Sequence, residues 1–224
     1  MSSLLNVGAR ALLANEVALA TTGHNISNAN TVGYSRQTAT MQQVPGQFTG
    51  SGYIGKGVEV VTVSRAHNEF LTRQASLAQS VAAMDGSRAN RLSALEDIFR
   101  GGASGLGGAV NDMLNAFSDV SIAPTDITSR NVLITRSAET AARFRNSQDR
   151  LDELQQGVNA QLTDAARTIN ATASQIGALN QQIARAQGSG QAPNDLLDQR
   201  DQLVRNLNQL VQTTSVEADD GTLN

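Results

Sequence analysis

The sequence predicts a mainly α fold: an elongated helical bundle or coiled-coil rod, with a small extended or β arm after the first helix. Three observations carry this. Aromatic residues are 3% of the 224, with no Trp, so a thick mixed core is short of its usual large side chains. From Leu151 to Ile183 the apolar residues step by 3 and 4, close to a heptad seam. Only two short stretches, Thr38 to Val44 and Val58 to Val63, have β-branched, partly alternating character.

Taken in order, residues 4–28 read as a first helix. Leu4, Leu5, Gly8, Ala11, Leu12, Asn15, Leu19 and Ile26 recur near helical spacing. The stripe is narrow, so this helix needs a partner helix. From Asn25 to Gln37 the run Asn-Ile-Ser-Asn-Ala-Asn-Thr-Val-Gly-Tyr-Ser-Arg-Gln reads as an ordered turn. Asn amides bond their own backbone and tolerate left-handed geometry, and Gly33 supplies a positive φ. The two β-like stretches then flank a Gly-rich loop from Gly46 to Gly57.

Helical periodicity returns over 65–99 through Phe70, Leu77, Val81, Met84, Leu92, Leu95 and Phe99. Glycines from Gly101 to Gly108 break it, and a shorter helix carries Val110, Met113, Leu114 and Phe117. Pro124-Thr125-Asp126 starts the long helix of 126–187, with an N-cap oxygen and an acidic residue in its first turn. Gly188-Ser189-Gly190 and Pro193 end it, and Asn194 is expected to cap a second helix. That helix has an apolar face of Leu196, Leu197, Leu203, Val204, Leu207, Leu210 and Val211. The two helices make an antiparallel hairpin. Asp195, Asp198 and Asp201 share one face, which reads as solvated beside Arg200 and Arg205, with Asp201 and Arg205 at i,i+4. After Val211 a strand enters a tight turn at Asp219-Asp220-Gly221-Thr222, as at the start of a further domain. The segments are thus 1–64 (inner helix and arm), 65–215 (helical rod) and 216–224 (the beginning of a β-rich part).

Composition excludes several functions. Net charge is −3, Lys56 is the only lysine and no basic run exists, which disfavours nucleic acid and anionic membrane as partners. Cysteine is absent, so there is no disulfide framework or thiolate metal site. Arg10 interrupts the first apolar stretch, so the N-terminus does not read as a cleaved signal peptide. No run of about 18 apolar residues is present.

Gly50 to Gly55 matches G-x-G-x-x-G, and Gly50 to Lys56 matches G-x-x-x-x-G-K. Position 57 is Gly where a P-loop has Ser or Thr, and a β-like run follows in place of a helix, so no nucleotide cofactor is expected. His24 and His67 lack a partner at metal-ligand spacing; His24 suits helix-end carbonyls. No catalytic residue, cofactor or metal site is assigned. The remaining candidate is a subunit-contact surface of Asn25, Ile26, Asn28, Asn30, Gly33, Tyr34 and Arg36, where Tyr and Arg are residue types that anchor interfaces.

Asn25–Gln37 closely resembles the signature after the first helix in the flagellar rod, hook and hook-associated proteins. Gly55-Lys-Gly-Val58, leading through Val60 to Arg65, and Pro193-Asn-Asp-Leu-Leu-Asp-Gln-Arg-Asp-Gln-Leu203 with Leu207-Asn-Gln-Leu-Val211, are similar to the hook-associated branch; rod and hook proteins lack the latter segment. This resemblance implies a structural protein exported unfolded, with an uncleaved N-terminus, by the flagellar type III apparatus and an export chaperone. It would polymerise beyond the hook, with hook protein below and a second junction protein and flagellin filament above. Its terminal helices would pair as a coiled coil, and the C-terminal mate lies outside this sequence. A hook or rod subunit is the alternative, and a nucleotide-binding enzyme a distant third.

Overall fold

A computed structural model describes residues 2–50, 52–188, 192–218 and 221–223. The elements are α1 (Ser2–Ser27), β1 (Gln37–Gln43), β2 (Gln47–Phe48), β3 (Tyr53–Ile54), β4 (Val58–Arg65), α2 (Glu69–Ile98), α3 (Leu106–Ile122), α4 (Ile127–Gln187) and α5 (Asn194–Asn208). The fold is mainly α with a small β arm after the first helix. By packing, the chain divides into Met1–Val81 with Ile169–Asn224, and Ala82–Thr168. Part of the predicted 188–190 turn and of the 219–222 turn lies outside the described residues.

In the first unit, β1 and β4 form an antiparallel ribbon, with Gln37 opposite Arg65 and Gln43 opposite Val58. The register slips between Thr40 and Met41, so Val61 is the extra residue of a β-bulge. The Gly-rich loop is more ordered than its composition suggests. Val44 N–H donates to Gly57 O (3.0 Å), and β2 and β3 continue the ribbon to a tip closed by Thr49 N–H on Gly52 O (2.9 Å). Gly50 and Gly52 take positive φ of 87° and 153°, which the closing turn requires. The nucleotide-like motif is therefore a hairpin tip.

α1 packs on β1 and β4. The contacting face is Val7, Ala11, Ala14, Val17 and Thr21, with Ala14 buried. Small side chains let the helix approach closely, and Arg10 reaches Glu59 at 3.8 Å. The ribbon thus covers a face of small residues and leaves uncovered the stripe for which a partner helix is expected. Leu4, Leu5, Leu12, Leu19 and Ile26 face away from the ribbon, between 72% and 79% exposed. The stripe and the Ala face are different sides of one helix, and periodicity alone does not say which side a ribbon takes.

α4 runs unbroken for 61 residues. Its predicted seam is half-buried or buried from Leu151 to Ile183, except Leu162, which is 63% exposed. At its start Asp126 is itself the cap, accepting from the N–H groups of Thr128 and Ser129 (3.1 Å each) and from Ser129 Oγ (2.8 Å). These bonds, that from the Ser129 hydroxyl foremost, hold the Asp126 carboxyl below its usual range. No acidic residue then remains in the first turn, contrary to expectation.

The second unit is held by small residues. Ala109 and Ala116 of α3 are buried, and Thr140 of α4 is buried with them. Thr140 Oγ1 lies 3.0 Å from Ala109 O and 2.8 Å from Arg136 O, sharing one proton between the two helices. Arg143 donates to the carbonyls of Ser104 and Gly105, tying the glycine break to α4. Replacing the Thr140 hydroxyl by a methyl removes the interhelical bond at nearly constant shape. Thr140→Val is expected to lower stability by about 1 kcal/mol in urea unfolding; an unchanged midpoint would show that Ala packing alone joins α3 to α4.

Candidate functional site

The turn after α1 is built from the side chain of Asn25. Its Nδ2 donates to Gln37 O and its Oδ1 accepts from Gln37 N–H, both at 2.8 Å, so one amide closes the loop as a strand partner would. Tyr34 OH donates to the same Oδ1 at 2.7 Å. Its single proton is then spent, so His24 Nδ1, 3.2 Å away, is the donor to the phenol oxygen. Asn28 Nδ2 holds His24 O (3.0 Å), and Asn28 Oδ1 accepts from Thr31 Oγ1 (3.1 Å). The expected capping of helix-end carbonyls therefore falls to Asn28, and His24 serves Tyr34.

This turn sits on α5. Gly33 has φ 90°, a backbone geometry that requires glycine, and a Cβ there would also push on Gln202 Oε1 at 2.8 Å. Ser35 N–H donates to Asp198 Oδ2 (2.8 Å), and Gln37 Nε2 to Asp195 Oδ1 (3.2 Å). At the same end of the ribbon, Arg65 Nη1 bridges Asp198 Oδ1 (2.9 Å) and Asp201 Oδ2 (2.5 Å). His67 Nδ1 stands 3.6 Å from the same Asp201 oxygen. Ala66 N–H on Arg36 O (2.7 Å) closes the base of the arm.

Several expectations for α5 are corrected here. Asn194 makes no capping bond; its Nδ2 donates to Val63 O at 2.7 Å. Asp198 and Asp201 do not lie on a solvated face, since their side chains are 9% and 11% exposed beneath the arm. Arg205 binds Gln202 Oε1 (2.9 Å) while Asp201 is held by Arg65, so the i,i+4 pair does not form. Arg200 is 1% exposed, donating to Gly221 O (2.5 Å) and to Asn180 Oδ1 (3.4 Å). Asn194, Asp198 and Asp201 are claimed by a segment more than a hundred residues away, and Arg200 by Asn180 and Gly221. The local pattern carries no signal of that.

The seven candidate residues split into two sets. Asn25, Asn28, Gly33 and Tyr34 are half-buried and spend their groups on the turn itself. Ile26, Asn30 and Arg36 are exposed, as is Val32 at 83%. Gln37, Arg65, Asp195 and Asp198, which sequence reasoning did not include, hold the first set in place. The turn therefore has its polar groups locked inward and a few side chains left outward.

A helix with an uncovered leucine stripe, a locked Asn-rich turn and a ribbon pinned to α5 describe a structural rather than a substrate-binding arrangement, and comparison with known proteins names its class. Residues 5–34 match the family model described as flagella basal body rod protein. Residues 92–224 match that of the flagellar hook-associated protein FlgK helical domain, and the chain belongs to this hook-associated family. It is 34% identical over its whole length to flagellar hook-associated protein 1 of Escherichia coli strain K12, covering 41% of that protein. The Bacillus subtilis strain 168 protein of the same name is 31% identical over 92% of this chain and 42% of its own length. The chain thus spans about two fifths of the curated relatives it matches. The solved flagellar hook junction protein FlgK of Burkholderia pseudomallei superposes with a TM-score of 0.61 at 28% identity, over 66% of this chain and 26% of that one.

Two measurements probe the site. Burial first, then the charges of Asp195 and Asp198, push the Tyr34 phenol above its ordinary value. With Tyr53→Phe leaving Tyr34 as the single tyrosine, its tyrosinate absorbance should appear at higher pH than in the same chain unfolded in urea, and Asp195→Asn should narrow the difference. The sign follows: the folded state prefers the neutral phenol, so this stability is complete below the ordinary pKa and fades as pH climbs through the folded value. Separately, Asp198→Ala strips partners from Ser35 N–H and from the 10%-exposed Arg65 together. A loss of about 3 kcal/mol is expected by urea denaturation, and a loss below about 1 kcal/mol would mean water replaces the carboxylate.

Proposed function

We propose that the chain is part of a structural subunit of the bacterial flagellum that polymerises at the distal end of the hook and joins hook to filament. The observation that carries the reading is the contrast on α1 and its turn. A helix whose Leu5, Leu12, Leu19 and Ile26 recur every seven residues leaves that stripe uncovered, while the following turn is locked from within. A coiled-coil seam of this kind calls for a second helix, and the resemblance supplies one in the C-terminal helix of the full-length protein. A stripe that stays uncovered in the single molecule and is buried on assembly gives association its driving force.

In this reading residues 1–30 form the inner helical layer, 31–64 meet neighbouring subunits, 65–215 form the outer helical rod, and 216–224 begin a β-rich part. The subunit works outside the cell, exported without a cleaved signal peptide by the type III apparatus and its chaperone. Hook protein is its neighbour below, and the second junction protein and flagellin its neighbours above. It has no enzymatic activity, cofactor, nucleic-acid or membrane partner. The match of residues 92–224 to the helical-domain model supports a hook-associated subunit over a hook or rod subunit.

The split between inward and outward residues sharpens the test. Arg36→Ala with Asn30→Ala should leave the thermal midpoint unchanged yet abolish incorporation into flagella. Tyr34→Phe should instead cost the isolated chain about 1 kcal/mol by freeing Asn25 Oδ1 and His24. Normal incorporation and swimming in the exposed pair of substitutions would refute the assembly role of this surface.

A further inference from the structure

We infer that the aromatic tip of the β ribbon of one copy seats in the groove beside the Asn28–Tyr34 turn of a second copy, a head-to-tail contact. The inference rests on the assembly reading above and names its partner surface.

The tip stands away from the helices, with its aromatic side chains in solvent. β2 and β3 pair only with each other among the described elements. Phe48 and Tyr53 stack with centroids 5.4 Å apart, yet are 60% and 80% exposed, and Ile54 beside them is exposed too. Large aromatic side chains left in water at a hairpin end are the composition of an anchor, not of a solvent-facing loop. The one charge here is Lys56, exposed and outside any ion pair among the described residues.

The groove has the complementary features. It encloses about 720 Å³ between the turn, the last turns of α4 and the face of α5. Val32, Leu179 and Leu203 offer apolar surface, and Gln182, Gln199 and Gln202 offer amides to the open edges of a two-residue strand pair. Its charged lining is acidic: Asp195 and Asp198, with His24 at the rim and neither Lys nor Arg. Asp198 is spent on Ser35 and Arg65, but Asp195 is exposed and, among the described residues, holds only Gln37 Nε2 at 3.2 Å. Lys56 of the incoming tip is the cation that fits it.

Tip and groove cannot meet within one copy. Gly57 at the tip's base lies against Val7, whereas the groove begins at His24. Seventeen helical residues separate these points, about 25 Å along α1. Unlike surfaces at opposite ends of one rigid helix make a heterologous contact, which repeats from copy to copy into a ring or a helical array.

The absence of native cysteine makes the test direct. Gln47→Cys, exposed beside the aromatic pair, and Gln199→Cys are placed in separate copies of the protein and produced together in cells that build flagella with it. Oxidised flagella should then contain a disulfide dimer joining the two variants, absent when Gln199→Cys is replaced by Ser118→Cys on α3. Lys56→Glu should abolish the dimer, and adding Asp195→Lys should restore it. Thermal melts of the purified variants check that each still folds. Flagella that incorporate both variants without the dimer would overturn this contact and leave the assembly reading standing. Failure of the parent protein to enter flagella would sink both, and a dimer insensitive to Lys56→Glu would overturn the charge pairing that selects the groove.

Discussion

One guanidinium holds the arm of this protein to its helical body. Arg65 closes β4, and its Nη1 meets Asp198 and Asp201, two carboxylates one turn apart on the same face of α5. The i,i+3 spacing makes that face a fork into which a single cation fits. All three side chains are about nine-tenths covered, so the attraction is weakly screened, and the loss of Arg65 would strand two buried carboxylates. Asp198 also takes the N–H of Ser35, thirty residues before Arg65. The start and end of the ribbon are thus tied to one carboxylate, and everything between them is positioned by it. α1 is positioned in turn, because it rests on β1 and β4.

α5 does comparable service on its other side. Arg200, one residue from Asp201 but rotated away, is buried against α4 and the chain end, donating to Asn180 and to the carbonyl of Gly221. Its Nε lacks a protein partner among the described residues, and burial works against its charge, with Asp201 and Glu217 in partial compensation. A buried arginine so sparsely paired is a poor source of stability. What it supplies is a fixed orientation: α5 cannot rotate without uncovering either Arg200 or the Asp198–Asp201 fork.

The consequence for association is preorganisation. Turns rich in Asn, Thr and Gly are ordinarily adaptable, and ordering one on binding costs free energy. Here Asn25, Asn28 and Tyr34 have already met that cost inside the single molecule, through bonds of 2.7 to 3.1 Å. Ile26, Val32 and Arg36 are left outward on a fixed frame. The apolar leucine stripe of α1 is the opposite case, with its burial still outstanding. In the proposed assembly the rigid polar turn would set register and the uncovered seam would supply driving force.

Much was legible in the residues alone. The helices, the two ribbon strands, the need for Gly33 and the mainly α class follow from 3.6-residue and two-residue periodicity and from turn chemistry, all local properties. The Asn25–Gln37 turn was legible too, because its key bonds span about a dozen residues. Tertiary structure decided which faces are inside. Leu12 and Ala14, two positions apart on one helix, exchange the roles hydrophobicity would assign them, because a ribbon approaches small residues more closely than large ones. Asp198 and Asp201 read as surface charges until Arg65, 133 residues earlier in the chain, arrives to cover them. Asn194 likewise leaves its helix end for Val63. A helix's sequence records the spacing of its side chains, whereas burial depends on which distant segment reaches that side, and no local pattern encodes the meeting.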